Sequence, residues 1–133
     1  MSRSGYSDEC ENVWLYRHSV KRAIQGKRGQ AFLQELATAM DAMPAKRLIS
    51  DQLEADGEFC ALGVVGHARG LDMKPLDYEC PRAIGNAFGI ARSMAAEIEF
   101  MNDDWGYKAE TPEERWTRMR AWVQHIIDGG DPQ

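Results

Sequence analysis

The chain has 133 residues, 44% of them apolar, which is enough for one continuous core and argues against a second domain. Its longest apolar stretches, such as Ala61 to Val65, fall far short of the roughly 20 residues that a membrane span needs, and Met1-Ser2-Arg3 leads into polar residues instead of a signal-peptide core. A net charge of -5 opposes non-specific attraction to nucleic acid, and three cysteines without Cys-x-x-Cys spacing fit a reducing compartment, so a cytoplasm is the expected location.

Residues 1–9 are small and polar and read as a flexible tail, with a helical domain over 10–129 and fraying over 130–133. From about Glu9, the spacing of Val13, Tyr16, Val20, Ala23 and Ile24 predicts an amphipathic helix that ends near Gly26. After Lys27-Arg28-Gly29 a second helix follows, with Phe32, Leu33, Leu36, Met40 and Met43 on one stripe and Pro44 closing it. Alternating residues on either side of Ala55-Asp56-Gly57 predict a short β-hairpin.

Cys60 to Gly70 reads as a short helix whose internal glycines each cost about 1 kcal/mol of propensity, so packing must hold it. A loop runs from Leu71 to Cys80, Pro81 starts another helix, Gly89 breaks it, and helical spacing resumes from Ile90 to Met101. Thr111-Pro112-Glu113-Glu114 combines a capping Thr, Pro at the first helical position and Glu three residues after the cap. The helix that starts there should bury Trp116, Met119, Val123, Ile126 and Ile127 and stop at Gly129-Gly130. The expected fold is mainly α with a short β-hairpin, an α+β domain of about five helices.

Cys60 sits where a strand feeds a helix, a position that can lower a thiol pKa; His67, two helical turns on, is out of direct contact, which leaves His125 as the better candidate base if the fold brings it near. Free cysteine flanked by Phe59 and Ala61-Leu62 is more commonly a small buried hydrophobe, so a cysteine-dependent enzyme is the third reading. Cys60, His67, Cys80 and His125 include no close ligand pair, and neither a metal nor a cofactor is assigned. Asp103 and Asp104 follow Asn102 at a helix end and read as a loop that stops the helix.

The basic run Arg17, Lys21, Arg22, Lys27 and Arg28 lines the polar side of the first helix and its turn, where it serves either as a solvated face or as a contact surface. Of the four tryptophans, Trp105 and Trp122 are candidates for partner contact, Trp122 because it falls off its helix's main stripe.

Gly26-Lys27-Arg28-Gly29-Gln30-Ala31-Phe32-Leu33, Asp56-Gly57-Glu58-Phe59-Cys60-Ala61-Leu62-Gly63 and Thr111-Pro112-Glu113-Glu114-Arg115-Trp116 resemble segments of small, uncharacterised proteins of tailed bacteriophages and prophages. The likeness covers most of residues 12 to 127. A more distant phage group shares a Cys-x-Leu-Gly segment after a hairpin-like stretch and an Asn-Asp pair, here Cys60-Ala61-Leu62-Gly63 and Asn102-Asp103. The resemblance implies the context of a phage or prophage accessory protein in a bacterial host and transfers no active site; small acidic phage proteins of this kind often bind a host protein, including components of antiviral defence. The hairpin region or the basic first helix is the expected docking face. A nucleic-acid-binding regulator using the basic helix is the alternative; oligomeric state is left open.

Overall fold

The computed structural model describes residues 2–3, 6–7, 13–103 and 109–132, with side chains from residue 15 onward. Trp105, Asp104 and Cys10 lie outside the described residues, as does the Trp14 side chain. Where the sequence predicts a tail, β1 (Ser2–Arg3) and β2 (Tyr6–Ser7) pair antiparallel, Ser2 opposite Ser7. Among the described residues six helices and a second hairpin follow: α1 (Val13–Gln25), α2 (Lys27–Asp41), β3 (Glu54–Ala55), β4 (Glu58–Phe59), α3 (Ala61–Arg69), α4 (Pro81–Phe88), α5 (Arg92–Asp103) and α6 (Pro112–Ile127). The chain is therefore mainly α with a short β-hairpin.

The buried positions follow from helical spacing. Tyr16, Val20 and Ile24 on α1 meet Phe32, Leu33, Leu36 and Met40 on α2, all within one core. The turn between these helices is tighter than its sequence suggests. Gly26 alone makes the corner in an extended conformation, and α2 begins at Lys27, so Lys27-Arg28-Gly29 is helix and not connector. Gly29 is needed inside α2 because a Cβ there would sit 2.0 Å from the carbonyl oxygen of Ala23, where the two backbones touch. Gln30 Nε2 then donates to the Ile24 carbonyl at 2.9 Å, satisfying an acceptor at the end of α1.

α2 packs against α1, α3 and α6, while α5 packs against α1, α3, α4 and α6. The β3–β4 hairpin pairs Glu54 with Phe59 and Ala55 with Glu58. Asp56 and Gly57 both have positive φ, 53° and 78°, as a two-residue primed turn requires. So short a ladder does not stand alone. It is held by Ile49 N donating to the Phe59 carbonyl at 3.0 Å and Cys60 N donating to Leu53 O at 3.2 Å.

α6 opens with a complete capping box, Thr111 Oγ1 accepting from Glu114 N at 3.1 Å and Glu114 Oε1 accepting from Thr111 N at 2.8 Å. Met119, Val123 and Ile126 are buried as the spacing predicts, with Trp116 and Ile127 partly buried against them. Trp122 departs from expectation. It is 8% exposed, because the chain after α6 turns back along it: Gly130 N donates to His125 O, Pro132 is buried, and Trp122 Nε1 donates to Pro132 O at 3.4 Å. Helical spacing could not register a cover supplied by residues beyond the helix, and Trp122 is withdrawn as a contact residue.

Candidate functional site

The Cys60-Ala61-Leu62-Gly63 segment and the Asn102-Asp103 pair, far apart in sequence, meet in the fold. Asn102, buried near the end of α5, accepts the Ala61 N–H on Oδ1 at 3.1 Å and donates from Nδ2 to Ile49 O at 2.9 Å and to Asp103 Oδ1 at 2.7 Å. Asp103 also takes the Asp51 N–H at 3.1 Å and the Tyr78 hydroxyl at 2.7 Å. Arg115 and Arg118 on α6 donate to the Asn102 carbonyl, and Glu110 binds both guanidiniums, at 3.2 Å and 2.6 Å. The Arg118 guanidinium holds the Glu110 carboxyl below its usual range. Cations at these carbonyls also suit the negative end of the α5 dipole. The hub thus ties the hairpin approach, the start of α3, the 71–80 loop and α6 to one helix end.

Cys60 caps the start of α3, its Sγ accepting the Gly63 N–H at 3.4 Å. Burial pushes its thiol up to about 12, more than that N–H offsets, so at neutral pH it is a thiol packed in the core and not a nucleophilic thiolate. His67 is exposed and stacks on Phe59 with ring centroids 4.6 Å apart, and His125 Nε2 lies 3.1 Å from the Asp131 carbonyl. Neither imidazole is placed as a base for Cys60 by these contacts. Among the described residues no three His, Cys, Asp or Glu side chains gather to hold a metal ion.

Around the hub, burial shifts the acids. Glu99 is raised to about 8 by burial and then by the nearby Asp103 charge, and its buried Oε2 has no hydrogen-bond partner among the described residues. Burial also raises Asp103, against the lowering effect of the Tyr78 and Asn102 hydrogen bonds, and raises the Tyr78 hydroxyl. Asp103, expected only to stop a helix, is instead a cross-linking acceptor.

A concave surface among the described residues lies elsewhere. A cleft of about 420 Å³ opens between the end of α2, the hairpin and α3. Ala39, Ala42, Met43, Pro44, Phe59, Val64 and Ala68 give it an apolar lining, while Arg47, Glu58 and His67 supply its polar groups. Arg47 Nε donates to Glu58 Oε1 at 2.9 Å, and its Nη1 pairs with Glu113. Lys46 Nζ, 5.6 Å from the Trp116 ring centroid, donates to the carbonyl of Asp41, the last residue of α2, and to that of Met43 just beyond it. Sequence reading pointed to the hairpin region but put Met43 on the core stripe; Met43 and Phe59 are partly buried, each with surface left for the cleft.

The basic run is exposed throughout: Arg17, Lys21, Arg22, Lys27 and Arg28. Lys21 pairs with Asp131 at 3.7 Å, whereas Arg22, Lys27 and Arg28 form no ion pair among the described residues. They flank the α1–α2 corner, where α2 starts with no side-chain cap. The cleft is at the other end of α2, about 20 Å away along its axis. No described helix is long and apolar enough to cross a membrane. Compared with protein-family models, curated proteins and solved structures, the chain matches none.

Proposed function

We propose that this chain is a phage or prophage accessory protein that acts in the bacterial cytoplasm by binding a host protein, such as a component of antiviral defence, through the cleft between α2, the hairpin and α3. The phage setting rests on the resemblance of the three segments quoted above. The binding role rests on the cleft: about 420 Å³, inside the roughly 300–1,000 Å³ range of binding pockets, with an apolar floor and a few fixed polar groups. Met43 lets such a floor adapt to its occupant, and an aliphatic or aromatic anchor buried there contributes about 1.5–3 kcal/mol. The Arg47, Glu58 and Glu113 pairs along the edge supply a charged rim around that apolar centre.

Arg22, Lys27 and Arg28, unpaired at the far end of α2, favour a second reading as a nucleic-acid-binding regulator. Affinity capture from host lysate, with and without nuclease, separates the two. Ala68 is exposed at the cleft, so Ala68→Trp fills it without entering the core. Capture of one host protein that survives nuclease, disappears with Ala68→Trp and persists in Arg22→Glu/Lys27→Glu/Arg28→Glu is the expected result. Capture indifferent to Ala68→Trp but abolished by nuclease and by the triple substitution transfers the function to nucleic acid.

A further inference from the structure

Resting on the cleft as the docking site, we infer that its occupant is a cationic amphipathic segment of the partner, with an apolar anchor between Met43, Phe59 and Ala68 and Lys or Arg side chains over the hairpin. The hairpin that forms one wall is acidic. Gly57, Glu58 and Phe59 line the cleft, Asp56 stands exposed beside them, and Glu54 is exposed at the start of the hairpin, where it lines a separate hollow; neither Asp56 nor Glu54 forms an ion pair among the described residues. Glu58 shares Arg47 with Glu113, two carboxylates to one guanidinium, and Asp51 stands exposed just before the hairpin.

The cations nearby do not cancel this excess. Lys46 turns its ammonium onto the Asp41 and Met43 carbonyls, and Asp41 is itself held by Arg120 at 2.8 Å. Lys74 lines a separate hollow of about 230 Å³ with Glu54, and makes no ion pair among the described residues. The free cations Arg22, Lys27 and Arg28 lie at the opposite end of α2. An acidic partner segment would meet repulsion at the hairpin, whereas a basic one gains attraction that speeds encounter and sets its orientation. Helix-in-groove docking supplies the matching shape, because apolar anchors at helical spacing leave the cationic face free to cover the acidic wall.

The test uses two fluorescent amphipathic helical peptides with the same Leu and Trp stripe, one with Lys on its polar face and one with Glu, titrated with the full chain. The Lys peptide should bind about tenfold or more tightly than the Glu peptide, and its affinity should fall as salt rises from about 0.05 to 0.5 M. Glu54→Lys/Asp56→Lys should reverse the order of the two peptides, and Ala68→Trp should abolish binding of both. Equal binding of the two peptides, no binding by either, or Lys-peptide binding unaffected by Ala68→Trp would each overturn the inference. Host-protein capture that stays sensitive to Ala68→Trp in any of those cases leaves the docking site standing without its charge preference; capture insensitive to Ala68→Trp removes the docking site itself.

Discussion

Asn102 uses both ends of its carboxamide on groups that have no other hydrogen-bond partner among the described residues, the buried Ala61 N–H and the half-buried Ile49 carbonyl. Replacing it with Ala leaves a buried donor and a half-buried acceptor without partners, at about 1–3 kcal/mol each. Asn102→Ala should therefore lose about 3 kcal/mol in urea unfolding with an unchanged denaturant slope, whereas Asn86→Ala, at an exposed position of α4, should stay within about 0.5 kcal/mol. Equal effects at both positions would mean that the hub does not hold the fold.

Glu99 carries a pH signature of the opposite sign to an ordinary ion-paired acid. Its folded pKa is about 8 against an ordinary 4.5, so between those values the folded chain keeps a proton that the unfolded chain has released. The stability it contributes is complete below about pH 4.5 and is lost as pH rises through about 8. Glu110, held low by Arg118, works the other way and loses its contribution on acidification. Glu99→Gln should match the parent chain near pH 4 and exceed it in stability near pH 9. Parallel stability curves for the two would show that Glu99 is already ionised in the fold. None of this was legible beforehand, because the partners of Asn102 lie 41 and 53 residues away in sequence.

At the scale of elements, what could be read early was whatever is decided within a few residues. Thr111 and Glu114 satisfy each other three positions apart, and Asp56-Gly57 needs only its own backbone to turn the hairpin. Helix packing is different, as Gly63 shows. By propensity it is a weak point of α3, and Ala would gain about 1 kcal/mol. In the fold a Cβ there would lie 1.9 Å from the Leu53 carbonyl oxygen, so the backbone leading into β3 would have to move. Gly63→Ala should lower stability by about 2–3 kcal/mol despite its better propensity, measured by thermal or urea unfolding. A stabilised variant would contradict the close approach of α3 to the hairpin. The same logic explains the α1–α2 corner, where sequence spacing put the connector at three residues and the backbone contact at Gly29 left it with one.

For the whole molecule, surface and charge are distributed unevenly along α2. Among the described residues Leu15 is the large apolar side chain that remains well exposed, at 47%, so apolar surface for a partner is gathered in the cleft instead of spread over a face. With Trp122 under the C-terminal segment and Trp105 outside the described residues, the aromatic contact surface anticipated from the sequence gives no support for a partner. The basic residues anticipated there are exposed, but they sit at the other end of the helix from the cleft. Sequence could name both surfaces; it could not place them, because their separation depends on where α2 starts and on which elements its last turn meets.

That separation allows one direct measurement. A photo-activated crosslinking residue placed at Ala45, exposed at the cleft, or at Arg22, exposed near the α1–α2 corner, reports which end of α2 meets the proposed partner in bacterial cells. Binding through the cleft predicts a discrete protein adduct from position 45, lost when Ala68→Trp is added, and none from position 22. An adduct from position 22 with none from position 45 would contradict the assignment and move the working surface to the basic corner.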